Sequence, residues 1–169
     1  MSRVQQLGDF RKNIIELEGK MFGYDIAIIF QRIGHRCGYV RIPKTNKLYG
    51  LEMDYENPNE LEELDVHGGI TYNRTSPIFD RENAELEYWI GFDCAHCYDK
   101  KDIKAWEKYN RLYGLNWDYI INLTKKSQIT YGEVRTYDYV LNEIKKLVLQ
   151  IKRLEKWTKK NLLHHKKMS

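Results

Sequence analysis

Between Tyr24 and Asp93 the chain carries a series of short β-prone runs, and no segment between them is long and amphipathic enough to be a crossover helix. IAIIF within Tyr24–Ile33 and GYVRI within Arg36–Ile42 are rich in β-branched residues, with Gly34 between them and Pro43 after. Lys47–Met53 predicts a shorter strand. VHGGITY within Asp65–Tyr72 and YWIGFD within Glu87–Asp93 predict two more, separated by a polar loop holding Ser76 and Pro77. Parallel neighbours need crossovers of a dozen or more residues. Four to five strands in about 70 residues therefore predict a mainly antiparallel or mixed sheet and an α+β fold.

The flanks read as helical. Leu7, Phe10, Ile14 and Leu17 have helical spacing within Val4–Lys20. Trp106, Tyr109 and Tyr113 share one helical face, as do Trp117, Ile120 and Ile121, with Gly114 as a break. Val140, Ile144, Leu147, Ile151 and Leu154 recur at spacings of four and three, predicting a helix over Tyr137–Leu163 of roughly 40 Å. At 169 residues and 42% hydrophobic content this is one domain: sheet core 22–98, aromatic helical segment 99–133, closing helix 137–163. The closing helix lies on its own core or packs against a copy of itself. Its stripe runs on to Trp157 and Leu162, past what a small sheet covers, and so predicts a homo-oligomer built through this helix.

The net charge of +4 is uneven, because the stretch from Ile144 onward holds nine Lys/Arg against one Glu. A solvated helix face is the commoner use of such a tail; a nucleic acid or host-protein partner is the alternative. No run approaches the roughly 20 apolar residues of a membrane span, and MSRVQQLGDFRKN has no apolar signal core. With three cysteines, an odd number, the chain does not read as a disulfide framework and is expected in the cytoplasm.

Alternation along the predicted strands assigns faces. His35, Cys37, Tyr39 and Arg41 fall opposite Val40 and Ile42; Trp89, Gly91 and Asp93 fall opposite Ile90, Phe92 and Cys94; His67, Gly69 and Thr71 fall opposite Val66, Gly68 and Ile70. A face holding His, Asp, Tyr, Trp and Arg beside glycines has the composition of a pocket floor. Gly68 and Gly69 let a ligand or a second backbone approach closely, or mark a bulge. His67, Asp93 and His96 suit three roles: two imidazoles and a carboxylate on a zinc ion, a metal-free general acid/base set, or a structural hydrogen bond closing a strand. Cys94-x-x-Cys97 with His35-x-Cys37 is a zinc-knuckle alternative, although Cys37 sits among strand residues rather than on a turn. No tightly bound structural zinc or other cofactor is expected. No P-loop, G-x-G-x-x-G, H-E-x-x-H or serine elbow occurs.

The segments HRCGYVRIP, LYG, LDVHGGITY and YWIGFDCAH, followed by the helix VRTYDYVLNEIKKLVLQ, resemble a family of small phage- and prophage-encoded proteins. The likeness covers roughly residues 34–98 and the helix after Val134, and departs from the family pattern at Asn46, Lys47 and Cys97. It implies a phage accessory protein in the host cytoplasm, of a kind that often counters host defence. The expected function is capture of a nucleotide-derived signal. Tyr39 and Trp89 would stack its base, Arg41 and the Gly68–Gly69 backbone would take phosphate, and His67, Asp93 and Thr71 would meet its polar groups. The alternatives are a hydrolase or phosphodiesterase acting through His67, Asp93 and His96, and an inhibitor that grips a host partner with the basic helix.

Overall fold

The computed structural model describes the backbone of residues 3–6, 12–54, 56–75, 87–127 and 131–168, and side chains within those ranges from Asn13 to Lys156. The fold is α+β. A six-stranded antiparallel sheet contains β1 (Arg3–Gln6), β2 (Lys12–Met21), β3 (Tyr24–Phe30), β4 (Arg36–Arg41), β5 (Tyr72–Thr75) and β6 (Tyr88–Asp93), in the order β1-β2-β3-β4-β6-β5. A small parallel ribbon joins β7 (Asp99–Lys100) to β8 (Glu133–Val134), and between them lie α1 (Ile103–Tyr113) and α2 (Asp118–Ser127). The chain closes with α3 (Tyr137–Met168). Among the described residues no helix is long and apolar enough to cross a membrane.

Three local expectations are corrected. The opening segment forms strands rather than a helix. Its alternation is disguised by a bulge between Ile15 and Leu17, which puts these two residues on opposite faces of the sheet, with the Glu16 carboxylate turned inward between them. Lys47–Met53 forms turns up to Gly50 and irregular chain after it, with the Tyr49 amide donating to the Asn46 carbonyl at 3.0 Å. VHGGITY is also a loop, because Gly68 and Gly69 both take positive φ, +66° and +81°, which a strand cannot accommodate. The loop with Ser76 and Pro77 lies outside the described residues.

The sheet is buried on both faces. Ile26, Ile28, Val40, Ile42, Ile90, Phe92 and Cys94 pack against Val140, Ile144, Leu147, Val148 and Ile151 of α3. Gly38 makes the contact close, since a Cβ there would come within 2.6 Å of the Phe92 ring. Every one of those five α3 residues is fully buried within the single chain. The stripe that predicted self-association is thus covered by the protein's own sheet as far as Ile151, with Leu154 packed at its edge; the side chains of Trp157 and Leu162 lie outside the described residues.

A buried arginine ties these layers together. The Arg36 guanidinium grips Glu16 through Nε and Nη2 at 2.6 and 3.0 Å, and through Nη1 it reaches Asp102 at 2.7 Å and the Arg135 carbonyl at 3.1 Å. Tyr109 completes the Glu16 shell, donating its hydroxyl at 2.7 Å. Asp102 also caps α1 by accepting from the Ala105 amide. One cation therefore joins β2, β4, α1 and the start of α3.

Candidate functional site

Loop 66–69 leaves the sheet and runs under α3. The His67 amide donates to the Glu143 carboxylate at 3.0 Å, and the Gly69 amide to the Val66 carbonyl at 2.9 Å. This places the His67 imidazole between Tyr139 of α3 and Asp99 of β7. His67 Nε2 lies 2.7 Å from Asp99 Oδ2, to which it donates while the carboxylate is ionised, and Nδ1 lies 2.9 Å from the Tyr139 hydroxyl. His96, on the turn before β7, donates its amide to the same Oδ2 at 3.0 Å and holds Nδ1 3.3 Å from it. The other carboxylate oxygen, Oδ1, accepts from Arg135 Nε at 2.7 Å.

Gly68 lets the two imidazoles meet. A Cβ at this position would overlap the His96 ring, whereas a Cβ at Gly69 would point into open space. The rings sit edge to face, 5.1 Å between centroids. The Asp99 side chain is 1% exposed, His67 12% and His96 40%, so the centre has a sealed floor and one open side. Burial would raise the Asp99 carboxyl, but the donors from Arg135, His67 and the His96 amide outweigh it and hold it down at about 2. Asp99 is thus a fixed anion. One ligand atom from each of His67, His96 and Asp99 lies within 4.8 Å of the others, the separation of a metal-ligating group.

Of the residues singled out in the sequence, His67 and His96 come together and Asp93 does not join them. Asp93 pairs with Cys37 across β4 and β6, on the face opposite α3, and its carboxylate caps the following turn by accepting the Ala95 amide at 3.0 Å. Asp99 fills the acidic place instead. It stands three residues after His96, whereas the carboxylate expected from the sequence, Asp93, stands three before. Arg135 and Tyr139 carried no signal of their own, being remote in the chain and brought in by the β7–β8 ribbon and by α3 respectively.

The expected pocket floor is a filled layer. Tyr39 and Trp89 are buried, 8% and 2% exposed, and Gly91 makes room for the Tyr39 ring, which a Cβ would approach to 2.6 Å. Arg41 is ion-paired to Asp25 and Glu87, and the Thr71 amide is spent on the Gly91 carbonyl at 2.9 Å. Arg41 and Trp89 do border a cleft of about 460 Å³, but Glu18, Asp25 and Glu87 line it too, and three carboxylates against Lys20 and Arg41 repel phosphate. The cysteines do not gather either. Cys37 and Cys94 lie on opposite faces of the sheet and Cys97 is exposed. Burial pushes the Cys37 thiol up to about 12 and raises Cys94 as well, which keeps both as neutral thiols. His35 is buried beside Lys101 at 3.4 Å and is driven down to about 4 by burial first and then by the lysine charge.

Comparison with protein families, with characterised proteins and with solved structures finds no match to this chain. The fold and the geometry of the site define its class: an α+β domain carrying two histidines and an aspartate at metal-ligand separation, open to solvent on one side.

Proposed function

We propose that the protein is a hydrolase in which His67, His96 and Asp99 hold a divalent metal ion, zinc by the chemistry of two imidazoles and a carboxylate. The convergence of these three side chains carries the reading. Asp99 Oδ2 lies 2.7 Å from His67 Nε2 and 3.3 Å from His96 Nδ1. A tetrahedron with bonds of roughly 2.0 Å has edges of roughly 3.3 Å, which the two Asp99 separations approach, and all three donors already lie within 4.8 Å of one another. Each of the two inner ligands already has an outer partner: with Nε2 turned to an ion, His67 would carry its proton on Nδ1 and donate it to the Tyr139 hydroxyl oxygen, and Arg135 holds Asp99 Oδ1. Such partners orient ligands and set the histidine tautomer.

Three protein donors and an open side would leave a fourth position for water, whose pKa a zinc ion held there would lower to about 7. The resemblance to phage-encoded proteins supplies the setting: a counter-defence role in the host cytoplasm, with a nucleotide-derived signal as substrate. Capture without cleavage is favoured less, since it draws on Tyr39, Trp89 and Arg41, which are buried or ion-paired.

The test is to load the purified chain with zinc, quantify the metal after dialysis, and incubate it with cyclic and ADP-ribose-derived nucleotides before chromatography of the heat-released ligand. The expected result is about one bound zinc and altered products, lost in Asp99→Asn and His67→Ala. Intact nucleotide recovered from the protein would replace cleavage with capture, and failure to retain zinc would remove the metal.

A further inference from the structure

The Arg135 guanidinium is held from three directions. Nε donates to Asp99 Oδ1 at 2.7 Å, Nη1 to Glu133 at 2.8 Å, and its plane lies over the Tyr139 ring, Cζ to centroid 4.8 Å. Its backbone is fixed as well, because its carbonyl accepts from the buried Arg36 at 3.1 Å. In a planar guanidinium the Nε–H and the Nη2–H are parallel, forming the fork that grips two oxygens of a carboxylate or phosphate. Arg36 uses both prongs on Glu16, at 2.6 and 3.0 Å. Arg135 uses only Nε on Asp99, because Asp99 Oδ2 is taken by His67 and His96, and its Nη2 has no partner among the described residues.

We propose that Arg135 is the phosphate-recognising residue of the centre, its free Nη2 prong binding an anionic oxygen of a phosphate ester that reaches the metal beside Asp99. The inference rests on the hydrolase reading above and adds the residue that recognises the phosphate of its substrate. Charge supports it. The ion, Asp99, Arg135 and Glu133 together carry about +1, and Glu143 is answered by Lys146. A phosphoanion is therefore preferred over a neutral ester or an amide. Arg41, the cation that the sequence put forward for phosphate, is engaged by Asp25 and Glu87. Arg135 is also only 19% exposed, so its hydrogen bond to phosphate forms largely out of water and gains strength from that.

The experiment titrates inorganic phosphate into the full chain by calorimetry, with and without saturating zinc, and compares Arg135→Gln and Arg135→Lys with the parent. Alongside, kcat/KM is measured for bis(p-nitrophenyl) phosphate and for the neutral p-nitrophenyl acetate, and circular dichroism checks that each variant is folded. Loss of one charge-assisted donor is expected to weaken phosphate binding in Arg135→Gln by about tenfold to a hundredfold. The phosphodiester-to-neutral-ester ratio should fall in step, and Arg135→Lys, which keeps the charge without the fork, should lie between. Equal phosphate affinity in parent and both folded variants at saturating zinc would reduce Arg135 to a clamp on Asp99 and overturn the inference. So would a parent that binds no phosphate with or without zinc. Phosphate binding that needs Arg135 but not zinc would uphold this inference while removing the metal centre.

Discussion

Gly68 and Gly69 offer a controlled comparison, because the two share a backbone problem and differ in what surrounds them. Both have positive φ, +66° and +81°, so alanine at either position costs roughly 1–2 kcal/mol of left-handed strain. For a chain of this size that corresponds to a fall in Tm of about 2–8 °C for each variant. Only Gly68 has a neighbour to lose: an added methyl would overlap the His96 imidazole, while at Gly69 nothing lies within 4 Å. In Gly68→Ala the ring must leave Asp99, taking one of three metal donors with it. Removing outer partners of metal ligands typically costs 10- to 100-fold in affinity, so losing a ligand itself should cost more than about a hundredfold. Gly69→Ala should hold zinc as the parent does. The assay is competition for zinc against a chromophoric chelator, with thermal melts of the apo and loaded forms, since a ligand bound to the native state raises Tm in proportion to RT ln(1 + [L]/Kd). Equal zinc affinities for the two alanine variants, at equal Tm loss, would refute the claim that Gly68 exists to seat His96.

Arg36→Ala should destabilise the fold by about 3–5 kcal/mol in urea denaturation by stranding the Glu16 and Asp102 carboxylates, whereas Arg36→Met with Glu16→Gln should cost much less; a loss under about 1 kcal/mol for Arg36→Ala would contradict the buried clamp. Stability should be level above pH 6.5 and fall towards pH 4. His35 is held at about 4 when folded against 6.5 unfolded, so the unfolded state takes up the proton first, with at most about 3 kcal/mol at stake. Asp99, lowered to about 2, adds a second loss below its ordinary value of 3.8, and a Tm that stays flat from pH 6.5 to 4, or an unaltered slope in His35→Gln, would contradict the assignment. Ile151→Asp should unfold the protein rather than split an assembly, because Ile151 is fully buried against the chain's own sheet; a folded monomer in light scattering and circular dichroism would show that the side chain faces a partner.

The α+β class and the antiparallel sheet were legible in the sequence because each β-prone run is long enough to alternate and too close to the next for a crossover. The same alternation placed Ile90, Phe92 and Cys94 opposite Trp89, Gly91 and Asp93, as the structure has them. The closing helix was legible from its three-four spacing, because one continuous hydrogen-bonded element maps sequence period directly onto a face. Periodicity failed where a local irregularity broke it. The bulge after Ile15 let β2 pass for a helix, and two left-handed glycines turned a strand-like string into a loop.

The candidate site divides in the same way. Its histidines could be named from the sequence, because a residue's chemistry is its own. Its carboxylate was expected at Asp93 and is Asp99, and Arg135 and Tyr139 could not be found at all. Tertiary structure decided these: strand pairing turns Asp93 towards Cys37, a two-residue parallel ribbon sets Asp99 beside Arg135, and α3 carries Tyr139 to His67. What the sequence determined is what depends on composition and short-range period. The assembly of a site from positions 67, 96, 99, 135 and 139 depends on contacts between residues 32, 36 and 72 apart in the chain, and these exist only once the sheet, the ribbon and the helix have packed.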